Sequence, residues 1–143
     1  MEFFQDMKFF QDPQNLLLIA VACISGAMLV WPLIRRGTGG PSVNSFEATL
    51  LINQKDALVL DVREPTEYAQ GHILNARNIP FSELEQRLKE IEKYKERPVI
   101  VSCGTGARST NGAAILRKHG FAHAVNLSGG VGAWQQAGLP TQK

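Results

Sequence analysis

The sequence predicts an α/β fold, an open parallel sheet with helices on both faces, preceded by one transmembrane helix; three observations lead there. From Val43 onward, short apolar runs alternate with stretches of helical periodicity, and strands separated by helices close into a parallel sheet covered on both sides. Pro98-Val-Ile-Val101 is a continuous β-branched run, suited to the middle of such a sheet. Ahead of the alternating part, Pro13 to Ile34 holds no charged side chain.

Composition sets the limits. The 143 residues are 44% hydrophobic and 20% charged, enough for one core and an apolar appendage. The formal charge is +2, with Lys and Arg spread along the chain. There is no basic stripe, which argues against a nucleic-acid partner. Only Cys23 and Cys103 are cysteines, and their segments belong to different environments, so a disulfide framework is excluded and each needs its own account.

Residues 1–15 read as a short tail and residues 16–34 as the transmembrane helix, about 28 Å long at ~1.5 Å per residue. The stretch is apolar all round, whereas a core helix would show a polar face. A cleaved signal peptide fits poorly, because Glu2, Asp6 and Asp12 stand against Lys8 where a basic region is required. Arg35 and Arg36 follow the span at once, so the excess of positive charge predicts a single-pass protein of the inner (plasma) membrane with its C-terminal domain facing the cytoplasm. Trp31 suits the interface, and Pro32 falls in the last expected turn. Cys23, Ser25, Gly26 and Ala27 show no repeated small-residue spacing and read as lipid-facing. Residues 35–42 form a linker, with Gly37 to Ser42 a flexible tether, and residues 43–143 form the main domain.

Within that domain, Asn44 or Ser45 caps a first helix through Leu51, and Leu58-Val-Leu60 is a buried strand ending at Asp61. Pro65 suits the first turn of a short helix from Glu64 to Gln70, closed by Gly71. Ala76 to Ile79 is a weaker strand. Ser82 and Glu85 form a capping-box pattern before a helix that buries Leu84, Leu88 and Ile91. Glu83 with Arg87 and Glu85 with Lys89 are i,i+4 pairs on its solvated side. After the Pro98–Val101 strand come a helix from about Ser109 to His119, a strand from Ala124 to Leu127, and a short helix near Val131 to Ala137.

Open parallel sheets place ligands at the carboxyl ends of their strands, and Cys103 lies just past such an end. Gly104, Thr105, Gly106 and Ala107 are small, and the two glycines let the backbone curl so that successive N–H groups aim at the Cys103 sulfur. The N-terminus of the next helix favours an anion at the same point, and Arg108 adds a positive charge at the rim. Such surroundings lower a thiol's pKa and activate it as a nucleophile, with no metal or cofactor required.

The order strand, Cys103-x-x-Gly106-x-Arg108-Ser109, helix resembles the active-site loop of the rhodanese-like family. Asp61-Val-Arg-Glu-Pro-Thr-Glu-Tyr68, Gly71-His72-Ile73 and Asn75-Ala-Arg-Asn-Ile-Pro80 are similar to that family's first motif. Leu127-Ser-Gly-Gly130, Trp134 and Gly138-Leu139-Pro140 are similar to its close. The resemblance covers about Ser42 to Leu139. It implies a sheet of five strands and a sulfurtransferase in which Cys103 carries sulfane sulfur as a persulfide. It also implies a small sulfur-donor anion or a persulfide protein as donor, and cyanide or a thiol as acceptor. Gly104 to Arg108 match the substrate cradle, with Ser109 beside it. Asp61 and Arg63 match positions where the family places an acid and a base near the loop, although an internal ion pair serves equally well there. His72 reads as a structural hydrogen-bond partner, and His119 and His123 are not spaced with Cys103 as metal ligands. The four residues between Cys103 and Arg108 are uncharged, unlike the loops of many thiosulfate-specialised members, which leaves a persulfide protein or a small thiol as plausible a substrate.

Two other functions meet these residues. Related phosphatases use a Cys-x5-Arg loop, and the four-residue spacing here makes the pocket too small for a phosphate ester. A tethered rhodanese-fold binding or scaffold module with little turnover is the alternative; the retained Cys103 and Arg108 argue against it. In either case the anchor raises the domain's effective concentration toward a membrane-protein partner.

Overall fold

The computed structural model describes residues 9–38 and 40–143, and its contacts divide the chain after Thr38. The first unit holds α1 (Pro13–Thr38), preceded by helical residues 9–11. Its stretch Pro13–Pro32 has a mean hydropathy of 2.0, and none of it is buried, so it is long and apolar enough to cross a membrane. The helix runs on past Pro32, which is therefore not in its last turn, and it takes in the start of the expected tether.

The second unit contains β1 (Ser42–Val43), α2 (Ser45–Lys55), β2 (Leu58–Asp61), α3 (Pro65–Gln70), β3 (His72–Ile73) and β4 (Arg77–Asn78). Two 3-10 segments follow, Phe81–Glu83 and Glu85–Tyr94. The chain closes with β5 (Val99–Ser102), α4 (Ala107–Lys118), β6 (Ala124–Leu127), α5 (Gly130–Gln136) and β7 (Thr141–Gln142). The main sheet has the order β1-β6-β5-β2-β4, and every pair in it is parallel. The expected five-stranded parallel sheet is therefore present. β3 and β7 pair antiparallel in a small separate ribbon.

Alternate side chains of the central strands feed two cores. Leu58, Leu60, Val99 and Val101 point to one side, where they meet Leu84, Ile91, Ala113, Leu116 and Phe121. Val59 and Ile100 point to the other and meet Ala48, Val131 and Trp134. This period of two, with helices on both faces, is why β2 and β5 read as unbroken apolar runs. α4 packs closely enough on the sheet that a Cβ on Gly112 would lie 3.1 Å from Val101.

Several expectations need correction. α2 continues to Lys55, with Asn44 as its cap: Glu47 N–H donates to Asn44 Oδ1 at 2.8 Å and Asn44 N–H to Glu47 Oε2 at 2.9 Å. Asp56, at φ 53°, closes the helix. The expected α-helix after Pro80 is 3-10, broken at Arg87, and Ser82 makes no capping bond. The reason is spacing: Leu88, Ile91 and Tyr94 recur every third residue, which a 3-10 turn stacks on one face, and all three pack on the first core. Of the two expected ion pairs, Glu83–Arg87 forms at 2.8 Å, while Arg87 takes Glu90 as a second partner. No Glu85–Lys89 pair forms among the described residues. The short strands β1, β3 and β7 have no apolar run to announce them. β7 follows a tail held by the Trp134 indole, whose N–H donates to the Pro140 carbonyl at 3.0 Å.

β2 connects to β4 on one side of the sheet, and β5 to β6 on the other. The crevice between β2 and β5 is thus where the strand order reverses, the usual ligand position in open α/β sheets. Asp61 lies opposite Ser102 there, one residue before Cys103.

Phe121 is fully buried in the first core. Phe121→Ala should lower the stability of the detergent-solubilised chain by about 3–5 kcal/mol, read as a drop in the urea midpoint.

Candidate active site

β5 ends at Ser102, and the chain turns through Cys103 to Gly106, whose φ of 103° and position as cap start α4 at Ala107, two residues earlier than expected. The turn aims backbone donors at the sulfur. Gly106 N–H donates to Cys103 Sγ at 3.0 Å, and Sγ lies 3.4 Å from Ser109 Oγ. Burial pushes the Cys103 thiol up. The Ser109 hydroxyl and the backbone N–H groups of Ser109, Gly106 and Thr105 outweigh that and hold it below the ordinary thiol range. Cys103 is 1% exposed, so a donor must work its way in to reach the sulfur.

Ser109 has one hydroxyl proton and several partners. Its Oγ contacts Sγ, donates to Gly106 O at 3.1 Å, and donates to the side-chain oxygen of Asn126 on β6. A hydroxyl rotates freely among such partners, so it can accept from the neutral thiol and donate to the thiolate. Asn126 was not anticipated; it sits in an apolar strand pattern where a lone buried amide is the sole signal.

The loop is held from behind by the segment after β6. Val131 N–H donates to Cys103 O at 2.8 Å and Gly132 N–H to Gly104 O at 3.4 Å. A Cβ on Gly130, which has a φ of 60°, would lie 2.1 Å from Cys103 O. Gly130 is therefore a steric requirement of the loop, while a Cβ on Gly129 would meet Ala133 of α5 at 2.6 Å. With the carbonyls turned back toward α5, the amides are left facing the sulfur.

Arg108 follows in the first turn of α4. It stands at the rim, but its charge is already engaged: Nη1 and Nη2 donate to Glu67 Oε1 and Oε2 at 3.0 and 3.1 Å. Glu67 belongs to the first motif, yet nothing in its spacing shows that α3 faces the loop. Gly104, Thr105 and Ala107 line the turn with no charge of their own.

Asp61 and Arg63 bond to each other rather than to the loop. Arg63 Nε and Nη2 meet the Asp61 carboxylate at 2.7–3.0 Å, and Nη2 also donates to Gly71 O at 2.8 Å. Asn78 Nδ2 donates to the carbonyls of Asp61 and Arg63. The pair is a buried staple fixing the end of β2 to the end of α3. His72 stacks on Tyr68 at 3.7 Å and its Nδ1 lies 2.9 Å from Tyr68 O, the structural role expected of it. Among the described residues no cluster of His, Cys, Asp or Glu could hold a metal ion.

Ser109→Ala should raise the pH at which Cys103 is half ionised by about one unit, because the thiolate loses one of its donors. The pH profile of Cys103 alkylation by iodoacetamide measures it.

Known proteins resemble the domain that carries this loop. The family model described as "Rhodanese-like domain" matches residues 45–137. The uncharacterized protein YibN of Escherichia coli (strain K12) is 34% identical over 137 residues, covering 95% of this chain and 96% of its own length. A sulfurtransferase of Allochromatium vinosum is 40% identical over 90 residues, 63% of this chain and 82% of its own. The crystal structure of a rhodanese-related protein from Thermoplasma volcanium superposes with a TM-score of 0.62 at 37% identity, covering 71% of this chain and 97% of that one. The turn that gathers donors around Cys103 thus sits inside a matched region spanning most of the chain, and the protein belongs to the rhodanese-like domain family.

Proposed function

We propose that the protein is a membrane-anchored sulfurtransferase that carries sulfane sulfur as a persulfide on Cys103. The observation that supports this most directly is the convergence of Gly106 N–H and the Ser109 hydroxyl on the Cys103 sulfur, which favours a thiolate. The thiolate attacks the outer sulfur of a donor. With thiosulfate, Cys–S⁻ and S–SO₃²⁻ give Cys–S–S⁻ and SO₃²⁻: one S–S bond forms, one breaks, and charge is conserved. An acceptor thiolate then takes the terminal sulfur and regenerates Cys–S⁻. Both the thiolate and the persulfide place one negative charge near the same donors, which stabilise it without reorganisation.

The similarity to a protein named sulfurtransferase supports the reaction class. The apolar helix supports a membrane location, and Arg35 and Arg36 just after the span support a domain on the cytoplasmic face of the inner membrane. Anchoring brings the site to membrane-bound donors or acceptors.

Treatment of the purified full chain with thiosulfate, mercaptopyruvate or a protein persulfide should add one sulfur, about 32 Da in intact mass, which cyanide removes. Cys103→Ser should show no gain. A folded chain that no donor loads would instead favour the tethered binding module, in keeping with the deep burial of Cys103. On cell fractionation the full chain should resist carbonate extraction from membranes, and a chain lacking residues 13–34 should be released.

A further inference from the structure

Arg108 is the cation nearest the reactive sulfur along the loop. Its guanidinium lies alongside the loop, where a Cβ on Gly104 would be in ordinary contact with Nη2 at 4.0 Å, and the charge on Cys103 helps hold its proton. Left free, it would attract anionic donors. It is instead held by both oxygens of Glu67, a bidentate fork geometry. Arg108 pulls the Glu67 carboxyl below the usual carboxylate range, so Glu67 is ionised at neutral pH. Glu64 acts on Arg108 as well, and the neighbouring cation Arg63 is spent on Asp61. Arg108 therefore has Glu67 as its bonded partner and Glu64 as a second carboxylate acting on it, and the residues between Cys103 and Arg108 add no charge.

We propose that Glu67 is a specificity-determining residue, which neutralises Arg108 and turns the site away from dianionic donors such as thiosulfate toward organic or protein persulfides of low charge. The inference rests on the sulfur-transfer reading and names its substrate class. Glu67 is suited to this because α3 is fixed at its far end by the Arg63 bond to Gly71 O and braced by the stack of Tyr68 on His72. The Arg108 and Glu67 side chains are 39% and 40% exposed, so water weakens the pair. An anion can compete for Arg108, but it must then sit beside an unpaired Glu67. A donor of low charge meets no such opposition.

The test is Glu67→Gln in the detergent-solubilised full chain, in a Cys23→Ser background so that Cys103 is the sole thiol. Gln keeps an oxygen that can accept the Glu64 N–H, a bond Glu67 makes at 3.2 Å. Cys103 is alkylated in parallel with iodoacetate and iodoacetamide, which are similar in shape and differ in charge. The iodoacetate to iodoacetamide rate ratio should rise about fivefold in Glu67→Gln at low salt, and the gain should vanish near ~1 M salt. Thiosulfate loading should rise in step, and Arg108→Gln should bring the ratio below that of the parent. A Glu67→Gln ratio that falls or stays within about twofold of the parent overturns the proposal. The ratio reports charge at the sulfur whether or not sulfur is transferred. A raised ratio with no donor loading Cys103 would contradict the sulfur-transfer reading and leave the charge effect standing.

Discussion

A charged sulfur at the end of a buried strand must be met by donors that are already in place, and that requirement organises the structure around Cys103. The backbone can supply those donors only if its carbonyls point elsewhere. Val131 and Gly132 N–H groups draw the carbonyls of Cys103 and Gly104 toward α5, and Gly106, at φ 103°, swings the chain into α4. Gly130 lets the two segments approach to a distance that a side chain would block. The loop, Gly130 and the helix starts are thus parts of one geometric solution.

The sheet provides the frame in which that solution is rigid. Parallel register brings the ends of β2 and β5 level, with an apolar core on each face. The buried Asp61–Arg63 pair sits at this edge. Breaking such a pair by removing one partner leaves a buried charge uncompensated and is costly, while its hydrogen bonds fix where α3 lies. α3 in turn carries Glu67 to Arg108. The buried pair thus fixes where α3 lies, and the half-exposed Arg108–Glu67 pair joins α3 to the loop.

Much of this was legible in the sequence, for physical reasons. The central strands announced themselves because both faces are buried, and Cys103 stood out because small residues and Arg108 followed it at the head of a helix. Asp61 and Arg63 were recognised, with an internal pair among their readings. What could not be read were contacts between segments distant along the chain. Arg108 with Glu67 and Ser109 with Asn126 join residues far apart in sequence, and no periodicity encodes such a pairing. The two-residue strands are too short to show alternation, and the 3-10 segment reads as an α-helix in sequence because spacings of three and four look alike over two turns.

The account stands on backbone amides bearing the charge at Cys103. The most direct measurement is the amide proton resonance of Gly106, followed by ¹H–¹⁵N correlation spectroscopy through a pH titration of the full chain and of Cys103→Ser. The account predicts that this resonance shifts with a midpoint below that of an ordinary thiol, together with those of Thr105 and Ser109, and that the shift is lost in Cys103→Ser. A Gly106 amide that stays still while Cys103 ionises, or a midpoint at or above the ordinary value, would contradict it.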